Sequence, residues 1–312
     1  MADMIATRAA YGNTLAELGK ENENIVVLDA DLSKSTNTAT FGKEFPKRHF
    51  NCGIAEQNMM GIAAGFAATG KIPFASTFAM FGAGRAFEVI RNSIAYPKLN
   101  VKIALTHSGL TVGEDGATHQ SVEDLSLMRS IPNMVVLCPA DGVETKKMVE
   151  AAAAYNGPVY LRLGRPNLPI LFDESYEFEI GKAAQLKEGS DVTIIATGIM
   201  TSTAIEAQKT LEAEGISARV LNMGTIKPLD EEAVVKAAKD TKAIVTAEEH
   251  SIIGGLGSAV AEVLVKKEYA PLEMVGINDT FGESGTPDEL LEKYGLTAKD
   301  IVAAAKKAIA RK

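Results

Sequence analysis

Short runs of β-branched and aliphatic residues recur along the chain, separated by longer stretches whose apolar positions carry helical spacing. The first such runs are NIVVLDA (24–30), KIPFAST (71–77), NVKIALTH (100–107), NMVVLCPA (133–140) and PVYLRLG (158–164). Helices are predicted over 4–20, 55–69, 80–95, 121–130 and 141–155, the last opened by Asp141 as an N-cap. Runs that are apolar throughout, rather than alternating, fit strands buried on both faces, and helices between them imply parallel order. The stretch RPNLPILFDESYEFEIGKAAQLKEGS has prolines, charges and no helical period, so it reads as a linker and a lead-in strand. The alternation then restarts with DVTIIATG (191–198), SARVLNMG (217–224), KAIVTAEE (242–249) and LEMVGIN (272–278). Helices over 200–214, Leu229 to Asp240 and 255–267 lie between them, and two more close the chain. The predicted fold class is α/β in two domains, each a mainly parallel sheet flanked by helices: 1–168, a linker and lead-in strand at 169–188, and 189–312.

Composition narrows the class of function without choosing one. With 312 residues, 46% hydrophobic and 23% charged, the chain can bury two ordinary globular cores. A net charge of −8, a pI near 5.2 and no basic stripe beyond the tail KKAIARK argue against nucleic acid or a membrane surface as partner. No segment resembles a signal peptide, and no apolar run reaches the roughly 18–20 residues that span a bilayer, so a cytoplasmic protein is expected. Cys52 and Cys138 are too few for a disulfide framework. The four scattered histidines show no metal-ligand spacing, so no metal site is expected.

One acid stands out. In GIAEQNMMGIAAG (53–65), Glu56 precedes a stretch without another charge until Lys71. It is either a helix-start charge worth about 0.3–1 kcal/mol against the macrodipole or an acid kept in a dry site for chemistry. Three loops expected at strand C-termini, where open α/β sheets bind ligands, are also unusually polar. LDADLSKSTNT offers Asp29, Asp31, Ser33 and Ser35; THSGLTVGEDGATHQ holds His107, Glu114, Asp115 and His119; LGRPNLP presents Arg165. Each loop taken singly reads as a turn or a cap.

Taken together, GIAEQ, PFASTFAMF, THSGLTVGEDGATHQSVEDL, GRPNLP and TAEEHSIIGGLGSAV resemble the transketolases over essentially the whole chain. The similarity is to the pyrimidine-binding and C-terminal domains of that thiamine-diphosphate enzyme. The Gly-Asp-Gly and Asn motif that holds the metal and the cofactor diphosphate in full-length members is not found. The resemblance implies that Glu56 hydrogen-bonds the aminopyrimidine ring nitrogen and shares a proton with it, its apolar neighbours raising its pKa. It further implies that Phe78 and Phe81 flank that ring, with Gly84 where the family frequently has a third aromatic, and that Asp31 lies near the thiazolium. Arg8, Ser35, His107 and Arg165 match positions that hold the sugar-phosphate tail. Asp115 and His119 match the pair that binds hydroxyls beside the reacting carbonyl, where a histidine can move protons. Glu56 and His119 are thus the expected catalytic residues. His250 is read as structural, and His49 carries no assignment.

The activity implied is transfer of a two-carbon ketol unit from a ketose phosphate to an aldose phosphate, as in pentose-phosphate metabolism. The chain is expected to be the C-terminal subunit of a split enzyme, active only with an N-terminal subunit that carries Mg²⁺ and the diphosphate site, as a dimer of heterodimers. Gly61, Ala64, Gly65 and Ala68 allow close approach to such a partner, while Met59, Met60 and Phe66 can bury area, although a helix packed on its own sheet needs the same residues. Two other readings compete. A 1-deoxyxylulose-5-phosphate-synthase-like half-enzyme shares IAEQ, but that family has Arg at the position of His107 and Gly-Ala-Asp-Gly for GEDG. A non-catalytic scaffold or regulatory subunit would have no need for Glu56, Asp115 and His119.

Overall fold

In the computed structural model, which describes residues 4–312, the chain folds around two main sheets. The first half runs β1 (Met4–Ala6), α1 (Thr7–Glu21), β2 (Ile25–Asp29), α2 (Ser33–Thr36), α3 (Ala39–Glu44), β3 (His49–Asn51), α4 (Glu56–Ala68), β4 (Ile72–Ser76) and α5 (Phe87–Val89). It continues through β5 (Lys102–Leu105), α6 (Asp124–Ser130), β6 (Val135–Leu137), α7 (Gly142–Ala154), β7 (Val159–Arg162) and β8 (Asn167–Pro169). The second half runs β9 (Ala184–Lys187), β10 (Val192–Ala196), α8 (Met200–Ala213), β11 (Ala218–Asn222), β12 (Thr225–Lys227) and α9 (Glu231–Thr241). It closes with β13 (Ile244–Ser251), α10 (Leu256–Lys267), β14 (Leu272–Ile277), α11 (Pro287–Lys293) and α12 (Ala298–Ile309).

The seven-stranded sheet has the order β12-β6-β7-β5-β4-β2-β3 and is parallel except for β12. Its central strands feed two cores, which is why their sequences do not alternate with polar residues. Leu28, Ile103 and Val136 face one core with Met59, Met60 and Ile90, whereas Val27, Ala104 and Leu137 face the other with Tyr11, Leu15 and Met148. The five-stranded sheet, β14-β13-β10-β11-β9, is parallel except for β9. Val192, Ile194 and Ala196 pack beneath α8 and α12, while Ile195 and Leu221 join the apolar cluster of the first half.

Three expectations from sequence change. The predicted helix at 4–20 starts only at Thr7, because Met4–Ala6 pair antiparallel with β8. The helix predicted over 80–95 is instead two π turns, Met80–Arg85 and Ile90–Ala95, on either side of α5. Gly82 sits where a Cβ would come within 2.4 Å of the Leu105 side chain, so the glycine lets this widened backbone lie on β5. Third, the helix at 121–130 begins only at Asp124, since Ser121 bridges to Ser108. Asp141 does cap α7, accepting the Glu144 N–H at 2.7 Å.

The halves are joined by more than the linker. β12 pairs antiparallel with β6, so a segment of the second half forms an edge of the first sheet. Beside it, Asp141 Oδ2 accepts the N–H groups of Leu171 and Phe172 at 2.6 and 2.9 Å, fixing the linker. Glu144, wholly buried, accepts the Ala140 N–H and the Asn222 side-chain amide, both at 2.7 Å. Burial, aided by the Asp141 charge, pushes Glu144 from 4.5 up to about 8, against the pull of the Ala140, Tyr176 and Asn222 donors. A carboxyl whose folded pKa lies above its unfolded one contributes stability below about pH 4.5 that is lost as pH rises through about 8. Chemical denaturation at pH 5 and pH 8 should therefore show the wild type losing stability relative to Glu144→Gln. A pH-independent difference between the two would show that Glu144 does not titrate differently on folding.

Candidate active site

The loops after β7, β5, β4 and β2 open on one rim, because those strands are parallel neighbours and their C-terminal ends lie side by side. Glu56 is the first residue of α4 and only 2% exposed, so it is placed beneath this rim and out of bulk water. It is not unpaired. Arg85 Nη1 donates to Glu56 Oε2 at 2.7 Å, while the guanidinium carbon lies 4.9 Å over the Phe81 ring and the Arg85 carbonyl accepts from Gln57 at 3.1 Å. The isolated acid read from sequence is thus corrected to an acid with a cationic partner brought from 29 residues away. Arg85 is the site residue that the sequence reading missed. Its signal was the Phe81-to-Arg85 spacing, which on a helical segment sets a cation over a ring.

Aromatic rings line the next stretch of the rim. Phe78 and Phe81 stack with centroids 5.9 Å apart, and His107 lies flat on Phe78 at 3.8 Å. His119 meets Phe81 edge-on at 5.2 Å. Beside them an apolar cleft of about 560 Å³ is lined by Met80, Phe81, Arg85, Ala117, Thr118 and Phe281. His107 takes a left-handed φ of 56°, and its Nδ1 is 2.8 Å from Thr106 Oγ1. Burial, then the charges of Arg8, Arg165 and His119, push His107 down to about 3, so it is neutral at pH 7.

Beyond His107 the site becomes cationic. Arg8 Nη1 donates to the Ser35 carbonyl at 2.8 Å, so α1 and α2 meet here. Arg8 Nε is buried without a protein partner among the described residues. Burial and the neighbouring Arg165 both lower the pKa of Arg8. Arg165 is half-buried, hydrogen-bonds the Val112 carbonyl and stands 3.5 Å from Glu114 and 3.7 Å from Asp115. Asp31 lies apart from this run of contacts, at a positive φ of 64°, where it accepts from Asn51 at 2.9 Å. His49, unassigned from sequence, stands 3.0 Å from the buried Asp29. His250 is fully buried with its Nδ1 2.7 Å from the Ser251 carbonyl, and burial pushes it down to about 4.

The arrangement suits a flat heterocycle whose edge meets Glu56, continued by an anionic group near Arg8 and Arg165. Among the described residues, no three or more His, Cys, Asp or Glu side chains gather where they could hold a metal ion. Among the described residues, no helix is long and apolar enough to cross a membrane.

Comparison with known proteins places this geometry. Residues 3–170 match the family model "Transketolase, pyrimidine binding domain" and residues 181–301 match "Transketolase, C-terminal domain". A protein of Methanocaldococcus jannaschii named as a transketolase C-terminal section is 57% identical over 297 residues, covering 94% of this chain and 93% of that one. A 6-deoxy-6-sulfo-D-fructose transketolase subunit of a Clostridium species is 47% identical over 305 residues, covering 98% and 95%. A solved structure described as "Split gene transketolase, inactive beta4 tetramer" superposes with a TM-score of 0.93 at 63% identity, covering 98% of this chain and 99% of that one. Both family models, the sequence relatives and the fold agree: the chain belongs to the transketolase family, as a subunit that corresponds to its pyrimidine-binding and C-terminal section.

Proposed function

We propose that this chain transfers a two-carbon ketol unit from a ketose phosphate to an aldose phosphate when assembled with an N-terminal transketolase subunit. The observation that carries the reading is the buried Glu56 at the start of α4, tied through Arg85 to the Phe81 ring on which Phe78 stacks, with the Arg8 and Arg165 charges acting on His107. Thiamine diphosphate, bound by its pyrimidine end, would supply the carbon nucleophile and electron sink. Glu56 holds and shares a proton at the ring nitrogen, and Phe78 and Phe81 fix the ring plane. Asp31, in the loop that follows the C-terminal end of β2, is assigned to the thiazolium side. Asp115 and His119 bind the substrate hydroxyls, and His119 moves a proton there. Neutral His107 gives a hydrogen bond without adding charge.

The diphosphate and Mg²⁺ are assigned to the partner, because the Gly-Asp-Gly and Asn motif that holds them in full-length transketolases is not found in this sequence. A relative of solved structure is described as an inactive β4 tetramer, which supports a requirement for a second subunit; the active form is assigned as a dimer of heterodimers. We assign residues 1–168 to the pyrimidine domain, 169–188 to the linker and lead-in strand and 189–312 to the C-terminal domain, in a cytoplasmic enzyme of pentose-phosphate metabolism.

Reconstitution tests this reading. The chain mixed with an N-terminal subunit, thiamine diphosphate, Mg²⁺, xylulose 5-phosphate and an aldose phosphate should transfer the ketol unit, and neither subunit should do so singly. Complex formation without transfer would favour a scaffold. The sulfonated sugar in one relative's name marks the anionic tail as a point of variation, and here Arg8, Ser35, His107 and Arg165 are assigned to phosphate. Arg165→Ala and Arg8→Ala should each raise KM for a ketose phosphate by about tenfold or more, the loss expected for one charge-assisted hydrogen bond of roughly 1.5–3 kcal/mol. A ketose without phosphate should be little affected. Equal effects on both donors would move the phosphate site elsewhere.

A further inference from the structure

The loop that carries Asp115 and His119 emerges from the first sheet, yet its anchors lie in the second half of the chain. Leu110 and Val122, at its two ends, belong to the apolar core of the five-stranded sheet. Glu249, on β13 and 4% exposed, places Oε1 2.6 Å from the Thr111 N–H. Its carboxylate lies directly on Gly109, where a Cβ would come within 2.3 Å of Glu249 Cδ and where φ is +77°, so only glycine fits. The backbone of Glu249 is itself fixed, since Arg162 Nη2 donates to its carbonyl at 2.9 Å. The next contact along β13 is the Ser251 N–H donating to the Val122 carbonyl at 2.7 Å.

At the far end, Gln120 is 3% exposed and its Nε2 reaches the Leu110 and Gly113 carbonyls, both at 3.2 Å, and the Glu283 carbonyl at 2.9 Å. Gly116 approaches the same segment closely: a Cβ there would lie 2.6 Å from Ser284 Oγ. Between these holds, Glu114, Asp115, Ala117 and Thr118 are exposed and His119 is half-buried, so they have little packing of their own to set their positions.

We propose that the second half of the chain acts on the site by holding residues 109–120 in shape, with Glu249 as a positioning residue and the Glu283 carbonyl as the second hold. The proposal rests on the reading of Asp115 and His119 as substrate-binding residues. It gives the C-terminal domain a defined part in the reaction: its carboxylate sets the loop backbone, and the loop sets the hydroxyl-binding pair. Burial raises the pKa of Glu249, while Arg162 and the Thr111 N–H oppose that shift.

Hydrogen exchange on the full chain tests the hold directly. Glu249→Ala should speed exchange in peptides covering 109–120 by about tenfold, as expected for one lost hydrogen bond, and leave peptides of α8 and β10 unchanged. Glu249→Gln, whose amide oxygen still accepts the Thr111 N–H, should keep wild-type protection. In the complex with its N-terminal subunit, Glu249→Ala should raise KM for the ketose phosphate several-fold with the thiamine diphosphate affinity unchanged. Unchanged exchange at 109–120 in folded Glu249→Ala would overturn the proposal, and so would equal loosening by the Gln and Ala variants. Should the Ala variant not fold, Glu249→Asp, which withdraws the acceptor by one methylene, takes its place: faster exchange at 109–120 supports the hold and unchanged exchange overturns it. Because exchange is read without substrate, a wild-type complex with no ketol transfer would count against the transketolase reading and leave this result standing.

Discussion

Glu56→Gln should lower kcat for ketol transfer in the assembled enzyme by about 10²–10⁴, the usual range for a lost general acid–base group. The substitution keeps the size and shape of the side chain at the start of α4. It removes the carboxyl group at a site only 2% exposed. Gln can still accept from Arg85 Nη1 and stack the same methylenes, so the fold should be kept. Thiamine diphosphate affinity, measured by equilibrium dialysis, should fall far less than kcat, because the Phe78 and Phe81 rings remain. A kcat within about threefold of wild type at saturating cofactor would remove Glu56 from the mechanism.

Arg162→Met should be strongly destabilising, at about 3–5 kcal/mol, because it strands a buried charge. Arg162 Nε and Nη2 grip Asp124 at 2.8 and 3.1 Å, and Tyr160 donates to the same carboxylate at 2.6 Å. The side chains are 4% and 0% exposed. Burial acts to raise the Asp124 pKa, but Arg162, His250 and the Tyr160 hydroxyl together outweigh it and hold the carboxyl below the usual range, so Asp124 is ionised. Methionine leaves that anion with the Tyr160 hydroxyl alone and takes the donor from the Glu249 carbonyl. Thermal unfolding should shift down by roughly 10 °C. Adding Asp124→Asn should recover part of the loss, since the amide leaves no buried charge and still accepts from Tyr160. A loss under about 1 kcal/mol in the single variant would show that the pair is not a structural requirement.

The parallel strands were legible because each carries its own signal: a β-branched run buried on both faces, bounded by turns. The short pieces were not. Strands β3, β8 and β12 have three residues each, and their pairing is decided by distant segments such as β6, which β12 meets nearly ninety residues downstream. The π turns at 80–95 were hidden because helical spacing looks the same whether the backbone closes on the fourth or the fifth residue. At the site, Glu56, Phe78, Phe81 and the His107–His119 loop stood out through their resemblance to a family. Arg85 did not, since its contact with Glu56 joins the end of the first π turn to the start of α4. Nor could spacing show that Glu249 reaches Thr111 from 138 residues away.

The borrowed strand β12 has a consequence for how this protein is made. On a ribosome the parallel strands through β7 emerge while Thr225–Lys227 are still untranslated, leaving Val135–Leu137 of β6 as a bare, apolar margin. At ordinary elongation rates that interval lasts roughly 3–13 s. Throughout it the nascent chain displays an unpaired edge of the kind that recruits foreign strands. Slow translation of the stretch between Arg162 and Thr225 thus lengthens the window for aggregation.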